Sequence, residues 1–142
     1  MKRGNMAGQQ GASDDNPAFC MAPWANLHVQ AEGFVTPCCE TRQRVGNINR
    51  TAFADIWNGA EMTAVRRQML AGEKIEACRK CYDKEAAGVR SFRQDLNDQA
   101  RHLMGKVRPD GAAGEAVPVL WDIRFVQRRS QADYLGEIGF EV

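Results

Sequence analysis

Four cysteines, Cys20, Cys38, Cys78 and Cys81, constrain this 142-residue chain more than any other feature, because their spacing, C-x17-C-x39-C-x2-C, is one that a metal centre needs. Cys78 and Cys81 stand at i and i+3, which puts both sulfurs on one side of a single helical turn. A helix opening there presents unpaired backbone N–H groups to the sulfurs, and such bonds stabilise thiolate charge and tune redox potential. Cys38 is followed directly by Cys39. Adjacent residues of extended chain point to opposite faces, so one of the two is the ligand and the other is expected to be a buried small hydrophobe. Two ligands from an N-terminal hairpin region and two from one distant turn make the centre a clamp between remote pieces of chain.

The spacing alone leaves the metal open. Structural zinc takes four Cys or His ligands, commonly as two close pairs, whereas this chain has one C-x2-C pair and two isolated cysteines. An iron–sulfur cluster bound by four thiolates accepts scattered ligands equally well. His28 and His102 are alternative ligands by residue type, but each reads as an ordinary surface or packing residue of a strand and a helix.

A chain of this length is one domain with tails. With 19 basic and 18 acidic residues, net charge gives no support to nucleic-acid or membrane-surface binding. The short basic pairs Arg66-Arg67 and Arg128-Arg129 read as solvated helix faces. Neither a signal-peptide core nor an apolar run of about 20 residues is present, so the expected compartment is the cytoplasm. Thiols stay reduced there, and metal ligation is the natural use for five cysteines.

Residues 1–16, rich in Gly, Gln, Asn, Ser and Asp, are expected to be a disordered tail. Leu27 and Val29 alternate with His28 and Gln30, Ala31-Glu32-Gly33 turns, and Phe34-Val35-Thr36 returns, which is a hairpin ended by Pro37. Thr51–Trp57 reads as a short helix capped by Thr51. A longer helix follows over 60–71, with Met62, Val65, Met69 and Leu70 as its buried stripe and Gly72 as its stop. Further helices are expected from Cys78 to Ala87 and from Ser91 to Met104, the latter burying Leu96, Ala100 and Leu103. Residues 105–116 are a linker by composition, and 117–125 read as a strand. The fold class is α+β: a small antiparallel hairpin with several helices around the four-cysteine site.

Taken in order, Phe19-Cys20-Met21-Ala22-Pro23-Trp24, Gly33-x4-Cys38-Cys39, Gly46-Asn47-Ile48, Ile56-Trp57-Asn58, Cys78-Arg79-Lys80-Cys81 and Gly88-Val89-Arg90-Ser91-Phe92-Arg93-Gln94 resemble the SPASM/twitch class of auxiliary iron–sulfur domains of radical S-adenosylmethionine (SAM) enzymes. More narrowly, they are similar to proteins in which a twitch region precedes the catalytic barrel. The resemblance covers about Phe19 to Phe125 and divides the chain into a cluster domain at 17–104, the linker, a strand at 117–125 and an atypical tail at 126–142. It implies that Cys20, Cys38, Cys78 and Cys81 ligate one auxiliary 4Fe–4S cluster, with Cys38 rather than Cys39 completing the G-x4-C element. Ile56 and Trp57 would be core packing beside it. Four cysteine ligands leave no open iron, so the implied role is electron transfer or architectural support of substrate docking.

In similar proteins the strand containing Trp121-Asp122-Ile123-Arg124-Phe125 begins the partial (β/α) barrel and runs into a C-x3-C-x2-C loop. The catalytic cluster on that loop binds S-adenosylmethionine. Here residues 126–142 contain no cysteine. The expectation is a frameshifted or truncated relative without a complete catalytic core, whose partners are a radical SAM catalytic domain or a peptide or protein substrate. The rival reading is a small zinc-stabilised interaction module. Either centre makes the metal-free chain markedly less ordered.

Overall fold

A computed structural model of the chain describes residues 11–113 and the backbone of 120–123. The hairpin forms where the alternation places it. Strand β1 (Asn26–Val29) pairs antiparallel with β2 (Phe34–Thr36), matching His28 to Thr36 and Val29 to Val35. The turn needs Gly33, whose φ of +92° is a region L side chains rarely adopt. Space forbids a side chain there as well: an added Cβ would stand 2.4 Å from Asn49 Nδ2 and 2.7 Å from Asn47 Oδ1.

A two-residue strand, β3 (Gly46–Asn47), continues the sheet antiparallel to β2. Gly46 has a packing reason, since a Cβ there would meet the Ile56 side chain at 2.8 Å. On the other side of β1, the backbone of β4 (Leu120–Ile123) runs parallel to it, giving the order β3-β2-β1-β4. The architecture is thus α+β, with an antiparallel three-stranded unit extended by one parallel strand. The flanking residues 117–119 and 124–125 of the expected strand, and the tail 126–142, lie outside the described residues.

Around the sheet stand α1 (Ala22–Ala25), α2 (Phe53–Trp57), α3 (Ala60–Leu70), α4 (Arg79–Ala86) and α5 (Phe92–Gln99). Short 3₁₀ turns occupy Glu76–Cys78 and Arg101–Lys106. The helical stripes bury largely as their spacing predicts: Met62, Val65 and Met69 on α3, with Leu70 only half-buried, and Leu96, Ala100 and Leu103 from α5 onward. Helix α5 starts on a capping box. Gln94 N–H donates to Ser91 Oγ at 3.1 Å, and Ser91 N–H donates to Gln94 Oε1 at 3.2 Å.

Several local expectations change. Helix α2 starts at Phe53 rather than Thr51, with Ala52 and not Thr51 at its N-cap. The run expected to be helical from Ser91 to Met104 leaves the α form at Ala100 and continues as 3₁₀, with Gly105 inside that turn. Residues 11–16 are not a loose tail. Asn16 is fully buried and donates to Met69 O at 2.8 Å and Gly11 O at 2.9 Å, while Asp14 pairs with Arg101. A buried amide that satisfies carbonyls of a neighbouring helix end is a packing element despite its polarity.

The basic pair at 66–67 is also corrected. Arg66 is fully buried, with its guanidinium 4.8 Å from the Trp57 ring centre and 6.0 Å from that of Trp24. It donates to Pro23 O, Asn58 Oδ1 and Gly111 O. Part of the expected linker is therefore held down. Arg67 Nε donates to Asp110 O, and Asn58 exchanges both of its amide bonds with Ala113.

Candidate metal centre

Each of the four cysteines is fixed by its own local device. The Cys20 segment is held from above by α5. Asn97 accepts from Met21 N–H at 2.8 Å and donates to Phe19 O at 3.1 Å, and Arg93 donates to the same carbonyl at 2.7 Å. Cys38 follows Pro37 in a bend after β2, where Thr36 Oγ1 donates to Cys38 O at 2.7 Å and Asn26 Nδ2 to Pro37 O at 3.2 Å. Cys78 closes the 3₁₀ turn and stands at the N-terminal boundary of α4, with Cys81 in that helix's first turn. Tyr82, on the next position of α4, donates to Ala18 O at 3.3 Å, joining the C-x2-C helix to the Cys20 segment.

These devices bring Cys20, Cys38, Cys78 and Cys81 to the wall of one recess of about 380 Å³, part of it open to solvent. Pro37, Met69 and Phe92 supply apolar wall, and Tyr82, Arg93, Glu40 and Thr41 also line the recess. Cys20, Cys38 and Cys81 are buried and Cys78 is half-buried. Cys39 is exposed and does not line the recess, which corrects the expectation of a buried small hydrophobe. The reason is that β2 ends at Thr36, so Cys38 and Cys39 sit in a bend where strand alternation no longer decides which side is inward. His28 and His102 do not line the recess either. Ile56 and Trp57 are buried as expected, but in the core beyond the recess wall.

The electrostatics of the recess follow from burial. Desolvation lifts the Cys20 thiol well above its ordinary value, and the charges of Cys38, Cys78 and Cys81 add to the rise, so this sulfur senses the other three. Burial likewise pushes Cys38 up to about 12, against the lowering effect of the Glu40 and Thr41 backbone N–H groups. Cys78 is raised by the same desolvation, opposed by the Thr41 hydroxyl. Without a cation beside them these thiols are neutral; a coordinating metal would remove their protons outright. Donors are already aimed at two sulfurs: Ala22 N–H to Cys20 Sγ and Glu40 N–H to Cys38 Sγ, both at 3.4 Å.

Arg93 and Asn97 hold the Cys20 segment in place, a role that the sequence reading did not assign to either. Arg93 lines the recess and makes a two-pronged pair with Glu85, at 2.8 and 2.6 Å, which Ser91 Oγ completes at 2.5 Å. Burial alone would raise the Glu85 carboxyl, but the Arg93 and Ser91 bonds outweigh it and hold it below its ordinary value. The available signal was the capping box at Ser91, which fixes the phase of α5 and hence the inward face carrying Arg93 and Asn97.

Residues 20–82 match the family model of SPASM, an iron–sulfur cluster-binding domain. The match supports a SPASM/twitch-like domain over this segment, a class whose description implies iron–sulfur cluster binding. The matched interval begins at the first of the four recess cysteines and ends one residue beyond the last. Searches among curated proteins and among solved structures found no significant match. Among the described residues, no group of three or more His, Cys, Asp or Glu side chains is arranged to hold a metal ion, and nothing there favours the zinc alternative. No helix among them is long and apolar enough to cross a membrane.

Proposed function

We propose that Cys20, Cys38, Cys78 and Cys81 hold a single 4Fe–4S cluster through four thiolates, and that this cluster is auxiliary to radical SAM chemistry. One observation carries the reading: four thiols, drawn from three remote stretches of chain, line one recess with apolar walls. The donor set fits the group, since four cysteines are the usual ligands of such clusters. When bound, the cluster supplies one-electron redox capacity or a rigid support.

The chain's own residues do the rest. The Ala22 and Glu40 N–H groups offset charge on Cys20 and Cys38, which raises the cluster potential relative to bare thiolates. Pro37, Met69 and Phe92 limit water beside the sulfurs. With all four thiols committed, the remaining Cys39 cannot form a C-x3-C-x2-C set, so the catalytic cluster and S-adenosylmethionine belong to a separate catalytic domain. That domain, or the peptide or protein it modifies, is the partner in this reading. Reducing surroundings such as the cytoplasm suit the four thiols.

The test is the iron, acid-labile sulfide and zinc content of protein purified without oxygen. About four irons and four sulfides per chain are expected. About one zinc without sulfide would overturn the cluster reading in favour of a structural site.

A further inference from the structure

We propose that the Thr41 hydroxyl donates a hydrogen bond to the Cys78 sulfur and thereby sets the reduction potential of the bound cluster. The inference rests on the cluster reading above and concerns one side chain that the reading does not use.

Thr41 is buried, at 6% exposure, between the two halves of the site. Its Oγ1 lies 3.7 Å from Cys78 Sγ, a hydrogen-bond distance for sulfur. The same oxygen lies 3.0 Å from Ala77 O and receives Gln43 N–H at 3.1 Å. A hydroxyl has one proton and two lone pairs. With Cys78 a neutral thiol, these three partners use all of them: the proton goes to Ala77 O, and the lone pairs take Gln43 N–H and the Cys78 S–H.

Ligation changes the count. A cysteine bound as thiolate has no proton to give and can only accept. The Thr41 hydroxyl then has two acceptors in reach, Ala77 O and Cys78 Sγ, and rotation about its C–O bond moves the proton from one to the other. No bond is made or broken in this step. Gln43 N–H continues to hold the oxygen in place.

The sulfur is the preferred acceptor once the cluster carries negative charge, because hydrogen bonds to an ionised acceptor are the stronger ones. Hydrogen bonds to cluster sulfurs favour the more negatively charged, reduced state and so raise the potential. Cys20 and Cys38 receive theirs from backbone N–H groups, which side-chain substitution leaves in place. Thr41 is thus a positioning residue whose identity tunes the centre while leaving its ligands unchanged.

The experiment is an anaerobic redox titration of the cluster in the full chain, for wild type, Thr41→Val, Thr41→Ala and Thr41→Ser, with iron and sulfide measured on each. The expected result is a midpoint more negative in T41V and T41A than in wild type, at equal iron content, with T41S at the wild-type value. A T41V midpoint equal to wild type overturns the proposal, as does a T41S shift as large as that of T41V. Failure of both T41V and T41A to load, with T41S loading fully, assigns the hydroxyl to building the site and also overturns its tuning role. Wild-type protein without iron and sulfide would strike the cluster reading itself, and this inference with it.

Discussion

Replacing Arg93 by Met tests whether the polar network above the recess contributes to the domain's stability. The Arg93 side chain is 9% exposed and that of Glu85 17%, so both charges are largely removed from water. Breaking a fully buried pair by deleting one partner costs about 3–5 kcal/mol, because the remaining charge is left uncompensated. Two features reduce that figure here. Ser91 Oγ still donates to Glu85, and Asn97 Nδ2 still donates to the Phe19 carbonyl that Arg93 shared. A loss of roughly 2–3 kcal/mol is expected, which at a typical urea dependence lowers the midpoint by about 1–2 M. The assay is urea unfolding of the cluster-loaded chain under nitrogen, followed by far-ultraviolet circular dichroism. Adding Glu85→Gln to R93M removes the stranded carboxylate and should restore about 1 kcal/mol. The pH dependence has a definite sign: Glu85 is held below its ordinary 4.5, so its contribution is complete above that value and is lost as pH falls through the lower folded value. An unfolding free energy for R93M within about 0.5 kcal/mol of wild type, or a double variant as weak as the sum of the singles, refutes the reasoning.

Two further outcomes follow from the geometry. Cys→Ser at positions 20, 38, 78 or 81 is expected to abolish the iron and sulfide content, while Cys39→Ser retains it, as metal analysis would read; retention in C78S and C81S with loss in C39S reverses the ligand assignment. Gly33→Ala is expected to lower stability by roughly 1–3 kcal/mol in the same urea assay, since strained backbone and a clash with Asn47 and Asn49 coincide there; an unchanged midpoint means the turn relaxes freely.

What was readable in the residues is what depends on local rules. The singling out of the four cysteines that line the recess, the Gly33 hairpin and most of the buried stripes of α3 and α5 follow from spacing, turn chemistry and helical period. What was not readable depends on tertiary neighbours. Arg66 carries the pattern of a solvated helix face, and only tertiary neighbours, the rings of Trp24 and Trp57 with the acceptors Pro23 O, Asn58 Oδ1 and Gly111 O, make its burial favourable. Asn16 looks like part of a polar tail, yet α3 ends against it and needs its amide. Alternation sets Cys39 opposite Cys38 and its small apolar side chain suggests burial there, but Pro37 has already ended the strand on which that alternation depends, and Cys39 is exposed. Composition likewise made 105–113 a linker, because nothing local announces that Asn58, Arg66 and Arg67 will grip its carbonyls.

The scatter of the four recess cysteines along the chain has a consequence for the unfolded state. A cluster joining them closes loops of 17 and 39 residues, besides the short C-x2-C step. Treated as cross-links, loops of that size remove roughly 3 and 4 kcal/mol of chain entropy from the denatured ensemble. The sum is comparable to the whole stability of a typical small domain, about 5–15 kcal/mol. Oxidative loss of the centre would therefore release a chain with little left to keep it folded, so that damage to the cofactor and disposal of the protein become one event.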